Sequence, residues 1–250
     1  MNTGLRKLGL LVATAVLWFG AAAVLMPQAA AAKAPRIDPT SCGAGAGPIE
    51  DYCYFLDTGE DVVIGHGSCN ALYACIALGN ATRIGHDSCN AMDACAGAGA
   101  FDGASTIGNH SCNGGDACSS SGFAGGSSSI GNGSCNGDSA CRIVGGFEGS
   151  SSSIGDGSCN GETACLDAGG AGKSRIHNNS CNGTLACVDA GANGGVSSIG
   201  NSSCNGVEAC EQAGINGSSV IGNHSCNLAN VCAYVGISGG VSVIGNNKFN

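Results

Sequence analysis

The feature that most constrains the fold is a twelve-residue phrase, I-G-x-x-S-C-N-x-x-x-A-C, which recurs every 20 to 24 residues. Eight full copies begin at Ile64, Ile84, Ile107, Ile130, Ile154, Ile176, Ile199 and Ile221. A ninth start, Ile244-Gly245-Asn246, follows shortly before residue 250. A unit of this length is too short to bury an apolar face by itself, so successive copies must stack on one another.

The composition decides which kind of stack forms. Neither the fixed Leu positions of leucine-rich repeats nor the long runs of helix formers of helical repeats occur. The 45 glycines and eight Asn-Gly steps interrupt every copy, which favours short strands joined by tight turns. Aromatic residues make up only 4% of the chain, so the interior must be narrow and built from Ala, Val, Ile and Cys. We therefore predict an all-β fold, a right-handed parallel β-helix (β-solenoid) of about eight to nine coils of 20–24 residues, braced by disulfides.

The chain divides into three segments. Residues 1–32 have the pattern of a secretory signal peptide, in which Arg6 and Lys7 precede an apolar stretch and Ala30-Ala31-Ala32 forms a cleavage site. Residues 33–59 are expected to form an N-terminal cap, and residues 60–250 the repeat solenoid. The protein is therefore expected to be secreted or at the cell surface, with membrane contact only through the signal segment if this stays uncleaved.

All 18 cysteines follow the signal segment, and an even number in an exported chain predicts a disulfide framework. In the preferred connectivity each C-x5-C pair is joined within its own copy, and Cys42 and Cys53 lie in the cap. The eight pairs are Cys69–Cys75, Cys89–Cys95, Cys112–Cys118, Cys135–Cys141, Cys159–Cys165, Cys181–Cys187, Cys204–Cys210 and Cys226–Cys232. A second connectivity stays open, because first-position cysteines of adjacent coils would have Cα atoms about 4.8 Å apart. Export and the spacing argue against a metal site, and no cofactor is expected.

The Ser-Cys-Asn triplets predict a candidate binding face. Side chains alternate along a strand, so an inward Cys requires its neighbouring Ser and Asn to point outward. The predicted rows are Ser68, Asn70, Ser88, Asn90, Ser111, Asn113, Ser134, Asn136, Ser158, Asn160, Ser180, Asn182, Ser203, Asn205, Ser225 and Asn227. The same rule points the Ile of Ser152-Ser153-Ile154 inward.

No residue group predicts a catalytic centre. The repeat places His66 and His86 in one column, but a metal site needs a third ligand, so we interpret both as exposed turn residues. Carboxylates such as Asp138 and Glu162 are spread singly over variable positions, and no nucleophile-elbow, zinc-protease or P-loop motif occurs. We therefore expect no enzyme activity, and a polysaccharide-processing β-helix is only the third functional hypothesis.

The charge balance argues against nucleic acid as a partner. Without residues 1–32, which contain Arg6 and Lys7 and no acid, seven Lys and Arg face 18 Asp and Glu, a formal charge of −11. These seven cations are scattered along the sequence, whereas a polyanion requires clustered Lys and Arg. An anionic membrane surface is disfavoured for the same reason.

The Ser-Cys-Asn triplets resemble the Thr-Cys-Thr ranks of the disulfide-braced β-helical insect antifreeze proteins, and the wider pattern resembles the repetitive β-solenoids of secreted adhesins and envelope proteins. The first resemblance implies outward rows that meet ice. The second implies a structural or adhesive rod that presents Ser and Asn rows to a glycan, protein or surface partner. We favour the structural or adhesive function, with ice binding as the alternative. No helix follows to cover the final coil, so the rod is also expected to associate with itself end to end.

Overall fold

The computed structural model describes residues 34–44, 47–55 and 61–250, and the predicted signal segment lies outside the described residues. Within this part of the chain the predicted fold class is confirmed, because parallel strands of successive copies stack into an all-β solenoid. A 3-10 turn at Ile49–Asp51 is the one helical element of the described residues. In the same residues no helix has the length and apolar character to cross a membrane. The right-handed winding stays a prediction.

Ten strands form one parallel sheet in the order β1-β3-β5-β6-β7-β8-β9-β10-β11-β12. They are β1 (Arg36–Ile37), β3 (Val63–Ile64), β5 (Ala81–Ile84), β6 (Ala104–Ile107), β7 (Ser127–Ile130), β8 (Ser151–Ile154), β9 (Lys173–Ile176), β10 (Val196–Ile199), β11 (Ser218–Ile221) and β12 (Val241–Ile244). From β5 to β12 the strands pair without a shift in register, so equivalent residues of successive copies lie side by side. At about 4.8 Å per strand the sheet extends for roughly 40 Å.

Burial alternates along each strand, as expected for a sheet with one buried face. In β7, Ser127 and Ser129 are exposed, whereas Ser128 and Ile130 are buried. The prediction that Ile points inward is therefore confirmed, and the Ile column packs with Cys and Ala in one core. The inward Ser of the strand is also satisfied, because Ser128 Oγ lies 3.0 Å from Ser105 Oγ of the preceding coil.

The Ser-Cys-Asn triplet is not part of a strand, which corrects the prediction of two outward rows. The first Cys of every copy has φ between 55° and 58°, in the left-handed region, so the chain turns a corner at this residue. Strand alternation does not hold at such a corner, and Ser and Cys are both directed to the interior. The triplet Ser residues are 0% exposed; they are Ser68, Ser88, Ser111, Ser134, Ser158, Ser180, Ser203 and Ser225.

Each C-x5-C pair forms a disulfide within its own coil, in the preferred connectivity. The paired Cα atoms are 5.5 to 5.8 Å apart. Cys42 is bonded to Cys53, and the described residues contain no free cysteine. The alternative pairing along the stack is therefore wrong. Each bridge joins the corner to the segment that follows it, which we call the turn wall: the residues between one triplet and the next strand.

The segment predicted as a cap contributes one strand to each of two sheets. β1 pairs with β3, while β2 (Cys53–Phe55) pairs with β4 (Cys75–Leu78) in a separate two-stranded parallel sheet. The Cys42 N–H donates to the Ser68 carbonyl at 3.0 Å, as the first Cys of each full copy does to the next coil. The segment thus stacks on the first coil. At the other end, β12 pairs only with β11 among the described residues, and end-to-end association stays a prediction.

Glycine follows the core Ile because adjacent coils approach closely at this point. A Cβ on Gly108 would lie 2.7 Å from the carbonyl carbon of Gly131 in the next coil. The Gly108 N–H donates to the Ile130 carbonyl at 2.8 Å. In seven of the eight full copies Gly leaves room for this backbone contact, and in the sixth His177 makes the equivalent bond to the Ile199 carbonyl at 2.9 Å.

Candidate binding face

The triplet Ser hydroxyls form a buried ladder along the corner. Ser134 Oγ donates to the Gly155 carbonyl of the next coil at 2.8 Å and accepts the Ser158 N–H at 3.2 Å. Equivalent contacts recur from the first full copy to the last. Because these hydroxyls are buried and bonded between coils, they do not reach a ligand. The Ser half of the predicted binding face is therefore wrong.

The triplet Asn side chains form a second ladder beside the first. The Asn136 N–H donates to Asn160 Oδ1 at 3.0 Å, and Asn136 Nδ2 donates to the His110 carbonyl at 3.1 Å. The same backbone-to-amide bond joins the other members, from Asn70 through Asn90, Asn113, Asn136, Asn160, Asn182 and Asn205 to Asn227. These amides hold coils together, and ligand binding through them stays a prediction.

A third ladder, which the sequence analysis did not identify, lies two residues after each core Ile. Asn132 Oδ1 accepts the Asn109 N–H at 2.8 Å, and Asp156 Oδ1 accepts the Asn132 N–H at 2.6 Å. The column continues through Asn178, Asn201, Asn223 and Asn246. A sequence signal was present, because this position is Asn or Asp in every copy from Asn109 onward.

The two histidines expected in one column do lie together, at the start of this third ladder. His86 Nδ1 accepts the His66 N–H at 3.1 Å. His66 Nδ1 lies 2.8 Å from Thr40 Oγ1 and 3.4 Å from Asp38 Oδ1. The ring of His66 therefore contacts the N-terminal segment, and the ring of His86 contacts the preceding coil.

Three potential metal-ligating groups converge in the described residues, namely the sulfurs of Cys53, Cys69 and Cys75. All three sulfurs belong to disulfides. They offer no thiolate, which is the form of cysteine that binds a metal ion.

The outer surface of the ten-stranded sheet has a different character. We call it the sheet face; it consists of the first and third residues of each four-residue strand together with Arg36 and Val63. Its side chains point away from the core, so they are exposed or half-buried. Over β6 to β8 they are all short: Ala104, Thr106, Ser127, Ser129, Ser151 and Ser153. The sheet face is thus a regular surface with hydroxyl groups at its centre.

Four cations gather on the sheet face, which corrects the prediction that the cations are scattered. Of the six Lys and Arg in the described residues, Arg36, Arg83, Lys173 and Arg175 are exposed on this face. The ten strands contain no Asp or Glu. The ion pairs found in the described residues each join a His to an Asp, so neither neutralises these four cations. Folding therefore creates a basic face on an acidic chain.

A shallow depression of about 440 Å³ surrounds Lys173 and Arg175. Its other outward-facing residues come from the two flanking strands: Ser151, Ser153, Val196 and Ser198. Two cations are therefore bordered by hydroxyl groups on either side.

The carboxylates lie outside the sheet, and one pair in the turn wall titrates unusually. Burial, and then the charge of Asp189 in the next coil, raise the pKa of Asp167 to about 6. Burial also raises the pKa of Asp189, against a hydrogen bond with Gln212 that lowers it. Asp167 Oδ1 is buried and has no hydrogen-bond partner among the described residues. We therefore expect the charge of the turn wall to change with pH near the raised pKa of Asp167.

Comparison with known proteins places the chain in a family. No curated protein and no solved structure matches it significantly. One family profile, described as a domain of unknown function (DUF7640), matches three overlapping segments, residues 48–155, 100–198 and 145–213. Together these segments span residues 48–213, two thirds of the 250-residue chain. The chain therefore belongs to the DUF7640 family.

Proposed function

We propose that this protein is an extracellular structural repeat protein that adheres to a partner through its sheet face. The observation that carries the proposal is that the corner and the sheet face use their polar side chains differently. The corner uses its Ser and Asn side chains to bond coil to coil. The sheet face presents exposed side chains in unbroken register over eight strands, β5 to β12.

The disulfides support the extracellular part of the proposal. Nine bridges occur in the described residues, and such bridges form and persist in oxidising compartments. Each full coil is also fixed by its hydrogen-bonded ladders. A surface held in this way loses little conformational entropy when it binds, which favours adhesion to a repetitive partner.

The partner that fits this face best is a glycan of a cell surface or matrix. Thr106, Ser129 and Ser153 lie in one column of adjacent strands, because they occupy the same register position. Their exposed hydroxyls are about 4.8 Å apart along the axis and can exchange hydrogen bonds with sugar hydroxyls. The short side chains leave room for an extended chain to lie against the strands.

The test is binding of the full-length, disulfide-bonded protein to an array of neutral and anionic glycans. The variant Ser129→Gln/Ser153→Gln lengthens two side chains at the centre of the sheet face and is expected to weaken binding about tenfold or more, a loss of roughly 1.4 kcal/mol. The control Glu162→Gln/Thr184→Gln places the same two side chains at exposed positions of the turn wall and should bind as the wild type does. Equal losses in both variants, or no glycan bound by the wild type, would show that the sheet face is not adhesive.

Ice binding is a second candidate, favoured by the same central column of hydroxyls at strand spacing. The surface proposed to bind ice is now the sheet face and not the Ser-Cys-Asn rows, because the triplet Ser residues are buried. Thermal hysteresis of the purified protein decides between the two functions. Hysteresis that disappears in Ser129→Gln/Ser153→Gln supports ice binding, and its absence in the wild type rejects this candidate.

A further inference from the structure

The charge pattern of the sheet face specifies the class of glycan, an inference that rests on the proposed function. We infer that the sheet face binds an anionic polysaccharide, carrying carboxylate or sulfate groups, which lies across the strands along the solenoid axis. The inference depends on where folding places four cations that are far apart in the sequence.

The cations form an elongated array. Arg36, Val63 and Arg83 are successive partners in one column, and the unshifted register continues this column to Arg175. Two strand steps separate Arg36 from Arg83, and four separate Arg83 from Arg175, about 10 and 19 Å. Lys173 lies beside this column, two residues before Arg175 on the same strand and roughly 7 Å from it. An array of this shape suits a linear polymer better than a small compact anion.

All four cations are available to a ligand. They are exposed, and the ion pairs of the described residues involve only His66 with Asp38 and His110 with Asp87. The strands of the sheet contain no carboxylate to compete with an incoming anion. Guanidinium groups bind carboxylate and sulfate-like oxyanions through two parallel hydrogen bonds, which gives strength and orientation.

The depression around Lys173 and Arg175 supplies the polar groups that a sugar needs in addition to charge. Ser151 and Ser153 border the two cations on one side, and Ser198 borders them on the other. Between Arg83 and this depression the column contains Thr106 and Ser129, which are exposed. A polysaccharide chain would therefore meet alternating zones of cation and hydroxyl, which match its alternation of acid groups and hydroxyls.

The charge density favours a polysaccharide over nucleic acid. Duplex DNA carries one charge per ≈ 1.7 Å of axis, so four cations spread over roughly 29 Å would neutralise a small share of it. Apart from these four cations the chain is strongly acidic, with 18 Asp and Glu against five Lys and Arg, and repels a dense polyanion. A polysaccharide with sparser acid groups matches the sheet face with less repulsion.

The experiment measures binding of the full-length, oxidised protein to chondroitin sulfate, uncharged dextran and a short DNA duplex. Titrations between about 50 and 200 mM salt give both the affinity and its salt dependence. The variant Arg83→Gln/Lys173→Gln/Arg175→Gln is expected to bind chondroitin sulfate about tenfold or more weakly, with a flatter dependence on salt. The control Arg142→Gln/Lys248→Gln removes two exposed cations outside the sheet and should stay within about twofold of the wild type. Thermal melting confirms that these surface variants remain folded.

The other outcomes separate the two proposals. If the wild type binds dextran and chondroitin sulfate equally tightly, without salt dependence, the inference of an anionic polysaccharide is wrong. Loss of that binding in Ser129→Gln/Ser153→Gln would still support adhesion through the sheet face. Tighter binding to DNA than to chondroitin sulfate would make the partner a nucleic acid and overturn the inference. An equal loss in the Arg142→Gln/Lys248→Gln control would show that the sheet face is not the site.

Discussion

Ser129 and Ser134 are five residues apart, on either side of the core residue Ile130, yet they have opposite roles. Ser129 is on β7 and its side chain is exposed on the sheet face. Ser134 is 0% exposed at the corner, where its hydroxyl bonds to the next coil and its backbone N–H donates to Ser111 Oγ of the preceding coil. The backbone makes the difference, because an extended strand alternates its side chains and the left-handed Cys135 does not continue that alternation. Two rows of the same residue type therefore bond coil to coil at one surface and are exposed to solvent at the other.

The largest expected effect on stability comes from replacing Ser by Ala at each of these two positions in turn. Ser134→Ala leaves the Gly155 carbonyl and the Ser158 N–H without their bond to Ser134 Oγ in a buried corner. Loss of the partners of a buried N–H and a partly buried carbonyl should lower the free energy of unfolding by about 3 kcal/mol. Ser129→Ala should change it by less than about 0.5 kcal/mol, as is usual for an exposed position. Urea unfolding followed by circular dichroism measures both.

Equal stability of the two variants would contradict this comparison. It would mean that the ladder at the corner contributes no more to folding than an exposed hydroxyl does. A Ser134→Thr variant sharpens the test, since it restores the hydroxyl while adding a methyl group to a packed site.

The contrast also shows how far the sequence alone leads. The period and the stacked coils follow from spacing, because they depend only on which positions recur, and the inward Ile follows from strand alternation. Spacing favours the C-x5-C pairs but leaves pairing along the stack open, and only the structure decides between the two. The direction of the triplet Ser did not follow, since it depends on a positive φ at a non-glycine residue such as Cys135. Strand alternation does not hold in a segment that turns a corner, so the triplet Ser residues are buried where alternation predicts them to be exposed.

The cations illustrate a second limit. In the sequence Arg36, Arg83 and Arg175 are separated by 47 and 92 residues, and they appear scattered. In the sheet they occupy one column, because each stands immediately before the isoleucine of its strand. Aligning the copies on that isoleucine would have found the column, whereas counting charges along the chain did not.

The next largest effect on stability concerns the disulfide that joins the corner to the turn wall. Cys135→Ala/Cys141→Ala opens a seven-residue loop in a central coil and should lower the free energy of unfolding by about 2 kcal/mol. The paired control Ser129→Ala/Ser153→Ala changes two residues of the sheet face and should leave the stability nearly unchanged. An unfolding midpoint in the cysteine variant equal to that of the control would show that the hydrogen-bonded ladders hold the corner without the disulfide.

The smallest expected effect is a dependence of stability on pH, which comes from the turn wall and not from the sheet face. The pKa of Asp167 is raised to about 6 by burial and by Asp189, so the folded state binds its proton more tightly than the unfolded chain does. The resulting stabilisation is present at low pH and is lost as pH rises through about 6. Asp167→Asn should therefore be more stable than the wild type at neutral pH, by about 1 kcal/mol or less, because solvent screens this partly exposed group.

The advantage of Asp167→Asn should shrink as pH falls toward the ordinary pKa of an aspartate, near 4. The control Glu162→Gln removes one carboxylate from an exposed position of the same wall, so its stability should follow the wild type at every pH. Urea unfolding at a series of pH values gives the comparison. A difference between Asp167→Asn and wild type that does not change with pH would show that the Asp167 carboxylate is not protonated more readily in the folded coil.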